Sequence, residues 1–134
     1  MTIWIIDDDF IFVKIFAAQI QKIGLEVKIS TFKNGKLAWD SLDKVCGSQD
    51  SSTMPDLLFL DLNMPVFNGW EFLERCKEKW ETEDNSILKK LKLYVVSSSQ
   101  DSQDIARAKA FEFVSAFFTK PLNIDAVRMI LEKG

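Results

Sequence analysis

Short apolar runs alternate along the chain with longer segments in which apolar residues recur at helical spacing. The short runs are rich in β-branched and aromatic residues, which is typical of strands, and the longer segments predict helices. The most continuous run, DLLFLD, is typical of a strand that is covered on both faces. The pattern predicts strands over Thr2–Asp7, Glu26–Phe32, Asp56–Asp61, Leu91–Val96 and Val114–Phe118, and helices over Asp9–Ile23, 35–45, Gly69–Lys79, Ser102–Phe111 and Asn123–Lys133.

These elements form five strand-helix units in succession, without an internal repeat or a low-complexity tract. Such alternation predicts an α/β fold in which a doubly wound, five-stranded parallel sheet has right-handed crossovers and helices on both faces. A length of 134 residues suits one domain, so we expect residues 1–134 to fold as a single unit.

The composition, 47% hydrophobic and 28% charged, excludes a disordered chain. No apolar run approaches the ~20 residues that cross a bilayer, and the amino terminus lacks a basic region and a cleavage site. We therefore expect a cytoplasmic protein that does not associate with membranes. The net charge of -3 and the lack of a basic stripe predict no direct binding to nucleic acid.

The chain contains no histidine, which limits the chemistry available to it. Serine-histidine and cysteine-histidine catalysis, histidine-ligated zinc and an internal phosphohistidine are all excluded. Cys46 and Cys76 fall on separate predicted helices without metal-type spacing, so we expect reduced, buried thiols. Carboxylates, hydroxyls, lysine and backbone groups must carry any chemistry.

Polar residues follow four of the predicted strands. Taken singly, an aspartate at such a position commonly caps a helix, and a cluster of serines commonly forms a turn. A single lysine there is usually solvated. Parallel strands, however, bring their carboxyl ends to one edge of the sheet, where ligands bind. Oxygen ligands without histidine or thiolate favour a hard cation such as Mg²⁺, and a lysine beside them suits phosphoryl transfer. The residues concerned are Asp7, Asp8, Asp9, Asp61, Ser97, Ser98, Ser99, Thr119, Lys120 and Pro121.

At these positions the chain resembles the receiver domains of two-component response regulators. The resemblance is carried, in order, by the stretches IIDDD (residues 5–9), LFLDLNMPVFNG (58–69), VVSSS (95–99) and FFTKPL (117–122). It covers essentially the whole chain, and the element D-x-x-M-P-x-x-x-G is itself specific. The resemblance implies a flavodoxin-like sheet with strand order 2-1-3-4-5.

The resemblance assigns the acceptor and the metal site by position. Asp61 matches the phosphorylated aspartate. Asp8 matches a direct ligand of Mg²⁺ or Mn²⁺, whereas Asp7 acts mainly through water. Asn63 would offer its backbone carbonyl to the metal.

The resemblance also implies a charge partner and a switch. Lys120 matches the lysine that pairs with the acceptor and its phosphate, and Pro121 a proline usually preceded by a cis bond. Ser97 matches the switch hydroxyl, with Ser98 as the alternative, and Phe117 matches the switch aromatic.

The sequence departs from the family pattern at two places. The third acid, Asp9, leaves a one-residue ambiguity, which we resolve by interpreting Asp9 as a residue of the first helical turn, favoured there by the helix dipole. The interval from Ser97 to Lys120 is one residue longer than usual, and Glu112-Phe113 is the expected place for the extra residue.

The resemblance implies a phosphoacceptor signalling domain that catalyses only its own phosphorylation and dephosphorylation. The donor is expected to be a sensor histidine kinase or a phosphotransfer protein, and the output a change in binding to an unidentified target. A homodimer through helix four, strand five and helix five is a further expectation. Two alternatives remain: a receiver-like interaction module that works without phosphorylation, and an aspartyl-phosphate hydrolase, which usually has D-x-D at its first strand and a longer chain.

Overall fold

The computed structural model describes residues 1–24, 26–48, 54–64, 67–82, 90–98 and 101–133. Every predicted strand and helix is present. The strands are β1 (Thr2–Ile6), β2 (Lys28–Phe32), β3 (Leu57–Leu60), β4 (Lys92–Ser97) and β5 (Val114–Thr119). The helices are α1 (Phe10–Lys22), α2 (Gly35–Ser48), α3 (Gly69–Thr82), α4 (Ser102–Lys109) and α5 (Ile124–Lys133). The sequence also predicts polar loops at 47–53 and 81–90, and most of their residues lie outside the described ones. The motif residues Pro65, Val66 and Ser99 lie outside them as well.

The five strands form one parallel sheet in the order β2-β1-β3-β4-β5, as the resemblance implied. Strand β3 lies at the centre and is buried at every position. This burial explains why its sequence is continuously apolar rather than alternating. Strands β2 and β5 are the two edges of the sheet.

Two hydrophobic cores cover the two faces of the sheet. In the first core, alternate strand residues such as Ile6, Leu58 and Val95 pack with helices α2, α3 and α4. In the second core, the intervening residues such as Ile5, Phe59 and Val96 pack with α1 and α5. The alternation follows from the two-residue period of a strand, which sends successive side chains to opposite faces. The predicted doubly wound fold is therefore confirmed.

Asparagine or aspartate side chains fix the start of the helices. Asp9 is the N-cap of α1, because its side chain accepts a hydrogen bond from the Phe12 backbone N–H. The interpretation of Asp9 as a first-turn residue was therefore wrong by one position: a capping carboxylate stabilises the helix by satisfying a free N–H group. Equivalent bonds at the other helices are made by Asn34, Asn68, Asp101 and Asn123.

Within the stretch in which the two strands pair, β5 contains one residue more than β4: Val114–Thr119 stands against residues 93–97. Leu93 pairs with Val114 and Tyr94 with Ala116, so Ser115 has no opposite residue in β4. The structure therefore has an irregularity inside β5, and the expectation that Glu112-Phe113 holds the extra residue relative to the family stays a prediction. Such a bulge shifts by one residue the alternation of side chains between the two faces of the sheet. Val114 and Phe117, three residues apart, therefore both face the first core.

Two further sequence expectations concern membranes and thiols. Within the described residues, no helix is long and apolar enough to span a bilayer. Cys46 on α2 and Cys76 on α3 are both buried thiols, as expected. Burial raises the pKa of the Cys76 thiol, and the nearby Cys46 adds to this shift, so Cys76 is a poor nucleophile.

Candidate functional site at the carboxyl edge of the sheet

Backbone hydrogen bonds continue past the strand ends and hold the polar residues in place. The N–H of Asp7 donates to the carbonyl of Phe32, and that of Asp61 donates to the carbonyl of Ile6, each over 2.9 Å. The N–H of Lys120 donates to the carbonyl of Ser97 at the same distance. Three of the four predicted strand ends are thus tied to the sheet at the residue that carries the chemistry.

Three carboxylates meet at this edge. Asp7, Asp8 and Asp61 each offer one oxygen, and these oxygens lie within 4.8 Å of one another. Asp7 and Asp61 are both 5% exposed, whereas Asp8 is open to solvent. Asp9 is not in the cluster, because its carboxylate caps α1. An all-oxygen set of this kind fits Mg²⁺ or Mn²⁺ and leaves room for water ligands.

The two buried acids differ in their hydrogen bonds. In Asp7, Oδ1 accepts from the Asp9 N–H at 2.9 Å, and Oδ2 lies 2.7 Å from the ammonium of Lys120. In Asp61, Oδ1 accepts a longer bond of 3.3 Å from the Asn63 N–H. Both oxygens of Asp7 thus have a close partner in the protein, whereas the partners of the Asp61 oxygens are more distant, at 3.3 and 3.8 Å.

Lys120 lies between both buried acids rather than beside Asp61 alone. Its Nζ is 3.8 Å from Asp61 Oδ2, so the shorter ion pair is the one with Asp7. The expected pairing of Lys120 with Asp61 is present, and the shorter ion pair with Asp7 is an addition that the sequence did not predict. Both acidic side chains are almost fully buried, at 2% and 6% exposed, and of the two only the Asp7 oxygen lies within hydrogen-bond distance of the ammonium. The peptide bond between Lys120 and Pro121 is cis.

The carboxyl of Asp61 ionises with difficulty in the metal-free protein. Burial raises its pKa to about 7, and the charge of Asp7 adds to the shift. The Lys120 ammonium and the Asn63 N–H oppose the rise, and Asp8 contributes a smaller increase. A group of positive charge arriving at the cluster would favour the ionised form of Asp61.

The loop after β3 is shaped by a glycine that the sequence motif contains. A Cβ at Gly69 would collide with the backbone carbonyl oxygen of Asp61 and would lie 2.6 Å from the Cα of Leu62. The N–H of Gly69 donates to the Leu62 carbonyl at 3.0 Å. Only glycine allows α3 to start this close to Asp61, so the motif glycine positions the backbone of Asp61.

The two proposed switch residues lie on the same face of the sheet. Ser97 ends β4 opposite Thr119, and Phe117 stands two residues earlier on β5 opposite Val95. Ser97 is completely buried and Phe117 is half-buried against the first core, whereas Ser98 is exposed. Strand alternation therefore puts the Ser97 hydroxyl, rather than that of Ser98, on the side of Phe117.

One contact of the site had no signal in the sequence. The Nζ of Lys120 lies 4.3 Å from the ring centroid of Phe12 on α1. Phe12 and Phe16 stand four residues apart, which is the spacing of an ordinary core-facing helix, and Phe10 adds an exposed ring. The sequence therefore predicted core packing with some contact surface, and half-buried Phe12 does pack against the second core.

The fold and the site together define a signalling domain of the receiver class, with an acidic cluster and a lysine at the carboxyl edge of a doubly wound sheet. The chain belongs to the response regulator receiver domain family, which it matches over residues 3–132. It is therefore a receiver domain of a two-component response regulator. Domains of this family generally act in signalling rather than as enzymes on an external substrate.

Similar proteins agree with this assignment. A two-component response regulator from Cytophaga hutchinsonii has 28% identity and a TM-score of 0.80, with 98% of this chain and 94% of the other aligned. The phosphorylated cyanobacterial phytochrome response regulator RcpA has 25% identity and a TM-score of 0.69, over 98% and 89% of the two chains. A protein-glutamate methylesterase/protein-glutamine glutaminase from Desulfotalea psychrophila is 39% identical over 79 residues. That match covers 58% of this chain but only 19% of the longer protein, so its activity is not carried over.

Proposed function

We propose that Asp61 accepts a phosphoryl group from a phosphohistidine of another protein, and that the modified domain changes its affinity for a partner. The observation that carries this proposal is the buried Asp61 carboxylate, which has a lysine ammonium 3.8 Å away and two further acids in its cluster. A phosphorylated relative of the same fold supports it. Few other reactions suit one nucleophilic carboxylate surrounded by charge-balancing groups.

Charge is the main obstacle to this transfer, because a carboxylate and a phosphoryl group repel each other. Asp8, Asp61 and the backbone carbonyl of Asn63 would hold Mg²⁺ or Mn²⁺ directly, with Asp7 acting through water. Such an ion, when bound, neutralises charge on the acids and the phosphoryl oxygens. The exposure of Asp8 and the full engagement of Asp7 support this division of roles.

The protein's own residues perform the remaining work. A carboxylate oxygen of Asp61 forms a bond to phosphorus while the bond from phosphorus to the donor's imidazole nitrogen breaks, and the nitrogen keeps the electron pair. Lys120 lies close enough to move from Asp7 toward an oxygen of the new phosphoryl group. The domain thus catalyses only its own modification, and positioning contributes most of the rate.

The absence of histidine from these 134 residues fits a donor outside this domain. We infer that it is a sensor histidine kinase or a phosphotransfer protein. The output surface is expected at α4, β5 and α5, where a downstream protein or a second copy of the chain would bind. Support comes from the half-buried Phe117 and from the position of β5 as an edge strand.

Labelling with a small phosphodonor tests the proposal directly. Wild-type protein treated with acetyl phosphate and Mg²⁺ should gain the mass of one phosphoryl group, and Asp61→Asn should gain none. Asp9→Asn is the matched control, because it removes a neighbouring acid outside the cluster and keeps a good helix cap. An unlabelled wild type would instead favour a phosphorylation-independent interaction module, and continued turnover of a phosphate ester would favour a hydrolase.

A further inference from the structure

Four residues of the site form a closed series of contacts that includes an aromatic ring. Asp7 binds the Lys120 ammonium through Oδ2 and the Asp9 N–H through Oδ1. Asp9 then caps α1 by accepting from the N–H of Phe12 at 3.1 Å. The ring of Phe12 returns to Lys120, with the Nζ 4.3 Å from its centroid. The carboxylate that holds the ammonium thus also helps to place the ring that covers it.

Two other aromatic rings of the second core fix the position of the Phe12 ring. Its ring lies 5.4 Å from that of Phe16, which meets Phe59 edge-on at 4.9 Å. Phe59 belongs to β3 and stands two residues before the acceptor Asp61. The Phe12 ring is therefore fixed relative to the strand that carries the nucleophile.

We propose that Phe12 is a positioning residue for Lys120, whose ammonium it keeps between Asp7 and Asp61 by attraction to the face of its ring. The negative face of an aromatic ring attracts a cation within about 6 Å, and more strongly where water is excluded. Lys120 is only 14% exposed, so the attraction is weakly screened. Its effect on phosphoryl uptake rests on the proposed function, whereas the ring contact does not.

Simple packing of Phe12 against the core would place the same ring for another reason. The two explanations differ in what the ring must supply, because packing depends on volume and the attraction depends on π-electron density. Fluorination lowers this density with little change in shape. Incorporation of phenylalanine with one, two or three fluorine atoms at position 12 therefore separates the two explanations.

The first measurement is the rate of labelling by acetyl phosphate at saturating Mg²⁺. The rate should fall with each added fluorine at position 12, by about threefold to tenfold over the series. The same series at Phe16 is the control, since that ring contacts Phe12 and Phe59 but has no contact with Lys120 among the described ring contacts. A flat series at position 12, or an equal fall at position 16, would overturn the proposal.

The second measurement is independent of phosphorylation. In metal-free wild type, the ring current of Phe12 should shift the Lys120 Hε signals upfield, and fluorination should move them back stepwise. Phe12→Leu should abolish the upfield shift and Phe12→Tyr should keep it. If the wild type takes up no phosphoryl group, the proposed function fails, and the stepwise loss of this shift on fluorination decides the role of Phe12. Unshifted Lys120 signals in the wild type would refute it.

Discussion

Lys120 forms its shorter ion pair with Asp7, at 2.7 Å, and not with the proposed acceptor Asp61, at 3.8 Å. The cation therefore balances Asp7 more closely than Asp61, the acid for which we propose phosphorylation. A phosphoryl group on Asp61 would bring new negative oxygens within reach of the same ammonium. The domain can then redirect one positive charge from Asp7 to the phosphoryl group with a small movement of one side chain.

Loss of this cation should damage the chemistry more than the fold. Lys120→Met keeps much of the side-chain stem, and we expect labelling by acetyl phosphate to fall by about 10- to 100-fold. The free energy of unfolding should fall by about 2 kcal/mol, because Asp7 is left buried without its partner. Quantitative labelling and urea unfolding provide the two measurements.

Lys79 offers a matched control for this substitution. Its side chain is also 14% exposed and pairs with Asp43 at 2.6 Å, but on α3, away from the acidic cluster. Lys79→Met should leave labelling unchanged. Asp7→Asn in the Lys120→Met background should recover stability, since it removes the unpaired charge. Wild-type labelling of Lys120→Met would remove this lysine from the site.

Binding of a divalent ion should stabilise the folded protein through Asp8. A ligand that binds only the folded state stabilises it by about 2.7 kcal/mol at a hundred times its Kd. The melting temperature should rise with Mg²⁺ or Mn²⁺ concentration in the wild type and in Asp9→Asn. The rise should be much smaller in Asp8→Asn, because that substitution removes a charged oxygen ligand. If Asp9→Asn loses the rise in melting temperature and Asp8→Asn keeps it, the metal ligand is Asp9 and our assignment is wrong by one residue.

The pH dependence of stability should report the ionisation of Asp61. Its pKa is raised from 3.8 to about 7 by folding, chiefly through burial. Between about pH 4 and pH 7 the folded state keeps a proton that the unfolded state releases, so stability falls as pH rises through this window. We expect a loss of the order of 1–2 kcal/mol in metal-free protein. No histidine titrates in the same range to obscure it.

Urea unfolding of wild type and Asp61→Asn in EDTA, from pH 4.5 to 8, measures this effect. The stability advantage of Asp61→Asn should grow with pH and level off above pH 7. Saturating Mg²⁺ should reduce the decline in the wild type, because the ion favours the ionised carboxylate. A difference between the two proteins that is constant over the whole range would show that Asp61 does not titrate there.

The sequence predicted the fold well because each element carries its own periodic signal. The errors lie at element ends: α2 continues three residues beyond Val45 to Ser48, and α4 ends at Lys109, with Phe111 buried after the helix. In both cases, apolar periodicity records which side chains reach the core and not where backbone hydrogen bonds stop.

The acidic cluster was also predictable, because parallel strands must bring their carboxyl ends together. Its internal geometry was not. The contacts of Lys120 with Asp7 and Phe12 join residues more than a hundred positions apart, and the register of β5 depends on the bulge at Ser115. Distances of this kind are set by three-dimensional packing, and no local pattern in the chain encodes them.

Ser97 and Phe117 offer a way to separate phosphorylation from its readout. Both residues lie on the first-core side of the sheet. Ser97 pairs with Thr119, and Phe117 stands two residues before Thr119 on β5. The side chain of Lys120 lies on the opposite side, near Phe12 of α1. A hydroxyl drawn toward a phosphoryl oxygen would vacate space on the Phe117 side, and that ring could move inward and alter the surface of α4, β5 and α5.

We therefore predict that Ser97→Ala is phosphorylated but does not switch. The substitution leaves Asp61, the metal ligands and Lys120 intact, so labelling by acetyl phosphate should stay within about threefold of wild type. The measurement is amide exchange or NMR shift mapping with and without beryllofluoride, a stable phosphate mimic. Wild type should change most between Ser98 and Phe118, and Ser97→Ala should change little there. Exposed Ser98 is the matched control. If Ser98→Ala loses the response and Ser97→Ala keeps it, the hydroxyl assignment is wrong; changes concentrated outside this region would instead reject the switch through Phe117.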